Sequence, residues 1–256
     1  MRNRLRNVLH IFTNLKFQTL YSTNLTRMPS SKPEVVSHMK QVGVVPVFYH
    51  PDVDVLMTIV DICYASGLRV FEFMHQRDNV GPRLFHYINE RIGNYPGMIL
   101  GAGTVLDDTM CERYIQAGAQ FIASPFLRPE MAEVCQTKNI LWMPGCTTTS
   151  DIIKAKSLGA TAIGVLPGNI LGPEFVRSVK KQFPDLESVP SGIEDLHPSA
   201  LAKWFQAGSL CIKLSGLLFP KNTIAVKDWG LIKKLMADNL KTISKTRASV
   251  NNVNHY

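Results

Sequence analysis

The sequence predicts a single (β/α)8 barrel of the TIM type, an α/β fold. Eight short segments between residues 44 and 214 are apolar on both faces, as strands of a parallel sheet covered by helices must be. Amphipathic segments with helical spacing lie between several of them. Three of these segments end in AGA, LGA and AGS directly before an apolar strand, which indicates one strand–helix unit repeated around a barrel.

The predicted strands are short and follow one another along most of the chain. They are Val44–Tyr49, Val70–Phe73, Met98–Ala102, Phe121–Ala123, Leu141–Met143, Ala162–Leu166, Glu187–Val189 and Leu210–Leu214. A doubly wound open sheet is the main alternative. That fold usually carries a glycine-rich phosphate loop after its first strand, whereas the first strand here runs into FYHPDVD without a glycine.

Four segments between the strands carry helix signals. DVDVLMTIVDICYASG places Val55, Ile59 and Ile62 on one face and ends at Gly67, a residue that favours helix termination. Acids begin the segment DDTMCERYIQAGA, and a proline lies in the first turn of HPSALAKWFQAGS. The segment TTSDIIKAKSLGA likewise ends at a glycine before an apolar strand. After residue 225, VKDWGLIKKLMADNLKTISK predicts a closing helix, and TRASVNNVNHY predicts a frayed polar tail.

The chain divides into three predicted parts: a basic leader of residues 1–27, a barrel of residues 28–225, and a C-terminal helix with a polar tail, residues 226–256. The leader contains no acid, which fits a transit peptide. It fits equally well a start codon assigned too early, because Met28 opens MPSSKPEVV, a natural beginning for a protein. We favour the second interpretation, under which the leader is dispensable.

The composition excludes several classes of function. The net charge of +8 is concentrated at the ends: residues 1–33 carry +6 and residues 227–256 carry +4, which leaves −2 between them. A nucleic-acid partner is therefore not expected. A membrane span is not expected either, because no apolar run reaches about 18 residues. The five cysteines form no C-x-x-C pair, so we predict reduced thiols in a cytoplasmic protein, with no disulfide, metal site or cofactor.

Two charged residues lie inside apolar strands and are candidates for chemistry. Glu72 stands between Phe71 and Phe73, and strand alternation points its side chain to the opposite face from theirs. A buried carboxylate in a barrel suits a general acid/base, and the alternative is a structural glutamate paired with a buried cation. Lys213, in the eighth strand, must reach solvent, an acid or a bound anion. His75, just after Glu72, is predicted to be a rim residue.

Seven motifs, taken in order, resemble the pyruvate-forming 2-keto-3-deoxy-6-phosphogluconate/4-hydroxy-2-oxoglutarate aldolase family. They are VVPVFYH, LRVFEF, GMILGAGTVLD, AGAQFIASP, WMPGCTT, VLPGN and VPSG, and the match runs from about residue 35 to about residue 220. The resemblance implies a (β/α)8 barrel, a homotrimer, and a lyase that acts on a 2-oxo acid or a phosphorylated sugar acid without a cofactor. In the mechanism that it implies, a lysine forms a Schiff base with the 2-oxo group and a glutamate shuttles protons.

By this resemblance, Glu72 matches the acid/base glutamate of the family. The positions of the oxo-acid pocket are Thr104, Pro144 and Gly145, with the proline and glycine read as a turn, and those for the phosphate or distal end of the substrate are Ser191, Gly192 and Ser215. The carboxylate-binding arginine of the family corresponds to Gln76, with Arg77 one place further on. The double glycine of the phosphate loop is reduced to Gly192 followed by Ile193.

The sixth strand departs from the family at the position of the imine lysine. The family reads K-[IF]-F-P there, whereas this chain reads GVLP, so the lysine position is Gly164. Lys213 stands where a glycine is usual. Three explanations stay open: a non-catalytic barrel that binds an oxo acid or a phosphorylated sugar acid or serves as an assembly partner, an imine lysine relocated to Lys213, or a different reaction that uses Glu72 and His75 without an imine. If the rest of the pocket is intact, Gly164→Lys is expected to create or raise pyruvate-forming cleavage.

Overall fold

The computed structural model describes residues 30–76 and 80–253, and within them eight parallel strands form a barrel. The strands are β1 (Val44–Phe48), β2 (Val70–Met74), β3 (Ile99–Gly103), β4 (Phe121–Ser124), β5 (Leu141–Cys146), β6 (Ala162–Val165), β7 (Glu187–Pro190) and β8 (Ile212–Leu214). Each of them lies at a predicted strand. Sequence neighbours pair from β1 through β7, and β8 pairs with β1. A bridge between Ser188 and Ser209 closes the ring.

Helices follow the strands and cover the outside of the barrel, except α1, which precedes β1 and contacts the barrel interior. They are α1 (Lys32–Val42), α2 (Val53–Ala65), α3 (Gly81–Arg91), α4 (Asp108–Gln116), α5 (Pro129–Thr137), α6 (Thr149–Ser157), α7 (Gly168–Gln182), α8 (Pro198–Gln206), α9 (Lys221–Ala225) and α10 (Trp229–Val253). A 3-10 turn, Ile92–Asn94, follows α3, and α7 consists of two helical pieces that meet at Gly172. None of the helices in the described ranges is both long enough and apolar enough to cross a membrane.

The four helices predicted from sequence begin and end as their signals indicate. Asp52 and Asp107 cap α2 and α4 with their side chains, and Thr148 forms a capping box with Asp151 at the start of α6. The glycines that follow these helices adopt positive φ angles, which glycine tolerates best: Gly67, Gly118, Gly159 and Gly208. In each of the repeated AGA-like endings, the glycine therefore adopts a left-handed backbone conformation and ends the helix just before a strand.

The strands separate two apolar layers. Inside the barrel, Phe121 packs with inward-facing residues of the other strands, and Val35 and Met39 of α1 join this cluster. Outside it, Phe71 and Phe73 pack among residues of the covering helices, such as Phe85 of α3. All five cysteines are free and buried.

The C-terminal region differs from the prediction of a frayed tail after residue 245. Helix α10 continues to Val253, and the leader and residues 254–256 lie outside the described ranges. The extension is helical because Thr246 and Val250 are buried, at 6% and 4% exposure, on the side of α10 that faces α8. The buried face of α10 thus extends beyond residue 245, where the helix predicted from the sequence ends.

Candidate active site

A cavity of about 490 Å³ opens at the carboxyl ends of the strands. Six residues singled out from the sequence line it together: Glu72, Thr104, Ser191, Gly192, Lys213 and Ser215. They come from β2, β8 and the loops that follow β3, β7 and β8. Because all the strands are parallel, their carboxyl ends meet at one rim, and this brings residues far apart in sequence to one place.

Glu72 and Lys213 form a buried ion pair in the wall of this cavity. The Lys213 Nζ atom lies 2.6 Å from Glu72 Oε2, and the side chains are 9% and 4% exposed, respectively. Strand register explains the contact. Strand β1 lies between β8 and β2, with Lys213 in register with Val45 and Glu72 in register with Val47. The two inward-facing side chains therefore approach each other across β1.

The contact with the Lys213 ammonium compensates the burial of the Glu72 carboxylate. Among the described residues, Oε2 has this ion pair as its polar contact and accepts no further hydrogen bond. A buried carboxylate is retained in a folded protein when a charge of opposite sign accompanies it. The structure thus shows the paired-cation arrangement at Glu72, in the wall of the cavity.

Gly103 makes room for the Glu72 carboxyl group. A Cβ atom at residue 103 would overlap the Glu72 carboxyl, which lies against the glycine on the neighbouring strand. Gly103 is also in register with Met74, two residues beyond Glu72. The second glycine of the GAG segment in β3 thus has a definite steric role.

Thr104, which follows Gly103, has a strained backbone. Its φ angle is +58°, in the left-handed region that β-branched residues rarely adopt. Such a conformation costs about 1–3 kcal/mol and is concentrated at functional sites. The residue with this strained backbone, Thr104, lies in the wall of the cavity.

Gly164 faces a position where a side chain would fit. Its β6 backbone is in register with Gly145 of β5 and Val189 of β7. A Cβ atom at residue 164 would meet its nearest neighbours, Gly145 Cα and Pro144 O, at 3.7 Å, which is ordinary van der Waals contact. The backbone therefore leaves space for a side chain at residue 164.

Four of the predicted site residues lie away from the lining of the cavity: Gly164, Pro144, Gly145 and Gln76. Pro144 and Gly145 do not form a turn, as the sequence suggested, but lie within β5, which continues to Cys146. The strand continues because Gly145 packs closely against the backbone of Pro125 and needs no side chain. Gln76 is partly buried beyond the end of β2, and Arg77 lies outside the described residues.

The prediction that His75 is a rim residue is wrong. His75 is 6% exposed, and its Nδ1 atom lies 2.9 Å from the hydroxyl oxygen of Tyr114. Its ring packs edge-on against the Tyr114 ring in the layer between sheet and helices. Alternation along β2 explains this position, because His75 continues the outward side of Phe71 and Phe73.

Sequence reasoning missed Glu194, which also lines the cavity. Its Oε1 atom accepts a hydrogen bond of 3.0 Å from the side-chain amide of Asn169, at the start of α7. Beside it, the Gly168 N–H donates to the Ser191 carbonyl at 2.7 Å. The available signal was an acid three residues after Ser191, in the loop that follows a barrel strand.

Two buried cysteines of the barrel wall, Cys146 and Cys211, are not poised as nucleophiles. Burial raises the pKa of Cys211, two residues before Lys213, to about 12, and burial likewise raises the pKa of Cys146 to about 12. A thiol of that pKa stays protonated at neutral pH. The described residues also contain no group of three or more His, Cys, Asp or Glu side chains placed to hold a metal ion.

Sequence comparison identifies relatives among aldolases. The probable 2-dehydro-3-deoxy-6-phosphogalactonate aldolase of Rhizobium meliloti is 32% identical over 97 residues, 38% of this chain and 46% of the relative. The 2-dehydro-3-deoxy-6-phosphogalactonate aldolase of Escherichia coli is 28% identical, over 43% of this chain and 53% of the relative. This chain thus spans about half the length of these two relatives. The match to the 2-dehydro-3-deoxy-phosphogluconate aldolase of Haemophilus influenzae, 23% identical, covers 66% and 79%.

Solved structures of similar fold include two bacterial aldolases. The KDPG aldolase of Legionella pneumophila, with pyruvate captured as a covalent carbinolamine intermediate, superposes with a TM-score of 0.71 and 21% identity over 81% of this chain and 98% of its own. The 2-keto-3-deoxy-6-phosphogluconate aldolase of Zymomonas mobilis, with 3-phosphoglycerate, gives a TM-score of 0.65 and 25% identity over 78% and 94%. The family described as KDPG and KHG aldolase matches residues 35–235. This chain therefore belongs to the KDPG and KHG aldolase family.

Proposed function

We propose that this protein is a class I aldolase whose imine-forming lysine is Lys213, on β8, and whose proton shuttle is Glu72. The reaction is pyruvate-forming cleavage of a 2-keto-3-deoxy sugar acid or a 4-hydroxy-2-oxo acid. The observation that carries the proposal is the distance of 2.6 Å between Lys213 Nζ and Glu72 Oε2 in the wall of the cavity. An amine and an acid/base group are thus adjacent at the rim where barrel enzymes carry out their chemistry.

The first step needs a neutral amine. Lys213 passes a proton to Glu72 across their contact, which converts a buried ion pair into a neutral amine and a carboxylic acid. The amine nitrogen then attacks C2 of the oxo acid, and the resulting carbinolamine loses water to give a protonated imine. Glu72 supplies the proton for the departing hydroxyl and becomes a carboxylate again.

The imine then accepts the electrons released by bond cleavage. The Glu72 carboxylate removes the proton of the C4 hydroxyl, the C3–C4 bond breaks to give an aldehyde, and the electron pair moves through C3 to the iminium nitrogen. Glu72 returns the proton to C3 of the enamine, and hydrolysis releases pyruvate and the free lysine. The acid and the amine must therefore act within contact distance of each other throughout the cycle.

Trapping with pyruvate and borohydride tests the proposal. Intact mass is expected to show one reduced pyruvate adduct, and peptide mapping is expected to place it on Lys213. Lys213→Arg keeps the buried charge but cannot form the imine, and is expected to give no adduct. Lys203→Arg, at an exposed lysine on α8, is the matched control and is expected to keep the adduct. Absence of any adduct from the folded wild-type protein, or persistence of the adduct in Lys213→Arg, contradicts the proposal.

A binding protein without turnover is the second candidate, and the ion pair itself favours it. A lysine held as an ammonium against a carboxylate is not a nucleophile, so the pair could serve only to bind or to support the fold. In that case pyruvate or another 2-oxo acid is expected to raise the melting temperature without any borohydride adduct. The third alternative, a reaction that uses both Glu72 and His75, loses support because His75 packs on Tyr114.

Assembly and location follow from the family resemblance. We propose a homotrimer in the cytoplasm, with small-molecule oxo acids as ligands and without nucleic-acid or membrane partners. Light scattering coupled to size-exclusion chromatography tests the trimer directly. A monomeric mass at micromolar concentration would contradict it.

A further inference from the structure

The wall of the active-site cavity has an unusual charge balance for a site that binds a phosphorylated ligand. In its described part it carries three charged side chains: Glu72, Glu194 and Lys213. Lys213 is already paired with Glu72. The remaining charge is the carboxylate of Glu194, next to Ser191 and Gly192. Along this part of the wall, a phosphate would meet a carboxylate and no unpaired cation.

Two polar groups beside this loop already donate hydrogen bonds within the chain. The side-chain amide of Asn169 donates to Glu194 Oε1 at 3.0 Å. The Gly168 N–H, at the start of α7, donates to the Ser191 carbonyl at 2.7 Å. These two donors are thus occupied, one of them by a carboxylate that belongs to the chain.

The same groups suit a ligand that carries hydroxyls. A carboxylate accepts hydrogen bonds from hydroxyl groups, and the Ser191 and Ser215 side chains can both donate and accept. A phosphate monoester carries a charge of about −1.5 to −2 at neutral pH and is repelled by a neighbouring carboxylate. The distal end of the cavity therefore matches a polyol better than a phosphate.

We infer that the substrate is a 2-oxo acid whose distal end is hydroxylated and unphosphorylated, and that Glu194 is the residue that determines this specificity. The inference rests on the proposed function, because it describes the far end of the same substrate. It sets this chain apart from relatives that are named for phosphorylated sugar acids.

Kinetics with a matched pair of substrates test the inference: 2-keto-3-deoxygluconate and its 6-phosphate, with pyruvate release as the readout. The wild type is expected to favour the unphosphorylated compound by about tenfold in kcat/KM at low salt, an effect limited by the solvent exposure of Glu194. Glu194→Gln is expected to reduce this ratio towards one, mainly by lowering KM for the 6-phosphate. Glu133→Gln, at an exposed acid on α5, makes the same change in net charge and is expected to leave the ratio unchanged.

A preference of the wild type for the 6-phosphate overturns the inference, and so does a ratio that Glu194→Gln leaves unchanged. Because the whole chain is assayed, any contribution of Arg77 is included. If neither compound is cleaved, the proposed function fails, and thermal melting with 3-phosphoglycerate tests the inference separately. The expected result is stabilisation of Glu194→Gln and none of the wild type. An equal response of the two proteins removes Glu194 as the determinant.

Discussion

Gly103 and Gly164 lack a side chain for opposite reasons, and alanine at each position distinguishes them. At residue 103 a methyl group would overlap the Glu72 carboxyl, whereas at residue 164 it would make ordinary contacts at 3.7 Å. Gly103→Ala is expected to cost about 1–3 kcal/mol in the free energy of unfolding and to remove activity, because Glu72 must move. Gly164→Ala is expected to be neutral or to stabilise by up to about 1 kcal/mol, because it restricts the unfolded chain.

Urea unfolding and pyruvate-release kinetics measure both effects. Equal losses of stability in the two variants would show that space at residue 164 is smaller than the backbone indicates. Full activity of Gly103→Ala would show that Glu72 does not need its place against Gly103.

The space at residue 164 allows a test of the lysine position that the family resemblance implies. Gly164→Lys in the Lys213→Met background is expected to restore a borohydride-trapped pyruvate adduct, now on residue 164. Lys213→Met alone leaves Glu72 as an unpaired buried charge and is expected to cost about 3–5 kcal/mol, so stability is measured alongside. A folded double variant that forms no adduct would show that the pocket has diverged beyond the position of its amine.

The capping box of α6 gives a prediction on pH at the scale of one element. Burial acts to raise the pKa of Asp151, but hydrogen bonds from the backbone and hydroxyl groups of Thr147 and Thr148 outweigh it, so the pKa lies below its usual value of 3.8. The folded state thus favours the carboxylate. Its stabilisation is fully present above the unfolded pKa and is lost as pH falls through the folded one.

Asp151→Asn is therefore expected to cost about 1 kcal/mol at pH 7 and progressively less as the pH falls below about 4. Thermal or urea unfolding over that range measures the difference. Asp185→Asn, at an exposed aspartate in the loop before β7, is the control and is expected to show no such trend. A difference that stays constant down to pH 2 would rule out the carboxylate as its source.

The helices that were predicted have side-chain caps or glycine endings, but α1, which has both in Ser31 and Gly43, was not identified. The helix α6, with its Thr148 cap, could be predicted, whereas α3 and α5, which follow Val80 and Arg128, have no side-chain cap and were not identified individually. The strands could all be predicted, because burial on both faces leaves a continuous apolar run. Glu72 and Lys213 could be singled out as charges in such runs. Their mutual contact could not, because it depends on the register across β1.

At the scale of the whole molecule, Arg247 connects the last helix to the first. Its guanidinium donates to the carbonyls of Lys40 and Gln41 at the end of α1 and lies over the Phe205 ring of α8. Burial lowers the pKa of Arg247. Because α1 packs against the barrel interior through Met39, this contact holds in place the end of the barrel opposite the cavity.

Arg247→Ala is expected to cost about 1.5–3 kcal/mol, the range for hydrogen bonds to a charged group. Hydrogen exchange is expected to accelerate first in α1, while pyruvate release below the melting temperature stays unchanged. Lys245→Ala, at an exposed position on the same helix, is the control for loss of a cation. A loss of activity without faster exchange in α1 would contradict a purely structural role.

The separation of Glu72 from Gly164 also bears on how relatives are recognised. Glu72 rests on Gly103 of β3, whereas Lys213 lies on β8 and Gly164 on β6. The proposed function requires an amine within reach of the acid and does not require that amine to lie on a particular strand. A criterion based on distance, an inward-facing lysine on any strand within reach of the acid, would find this chain. The same criterion applies to other chains that lack a lysine on β6.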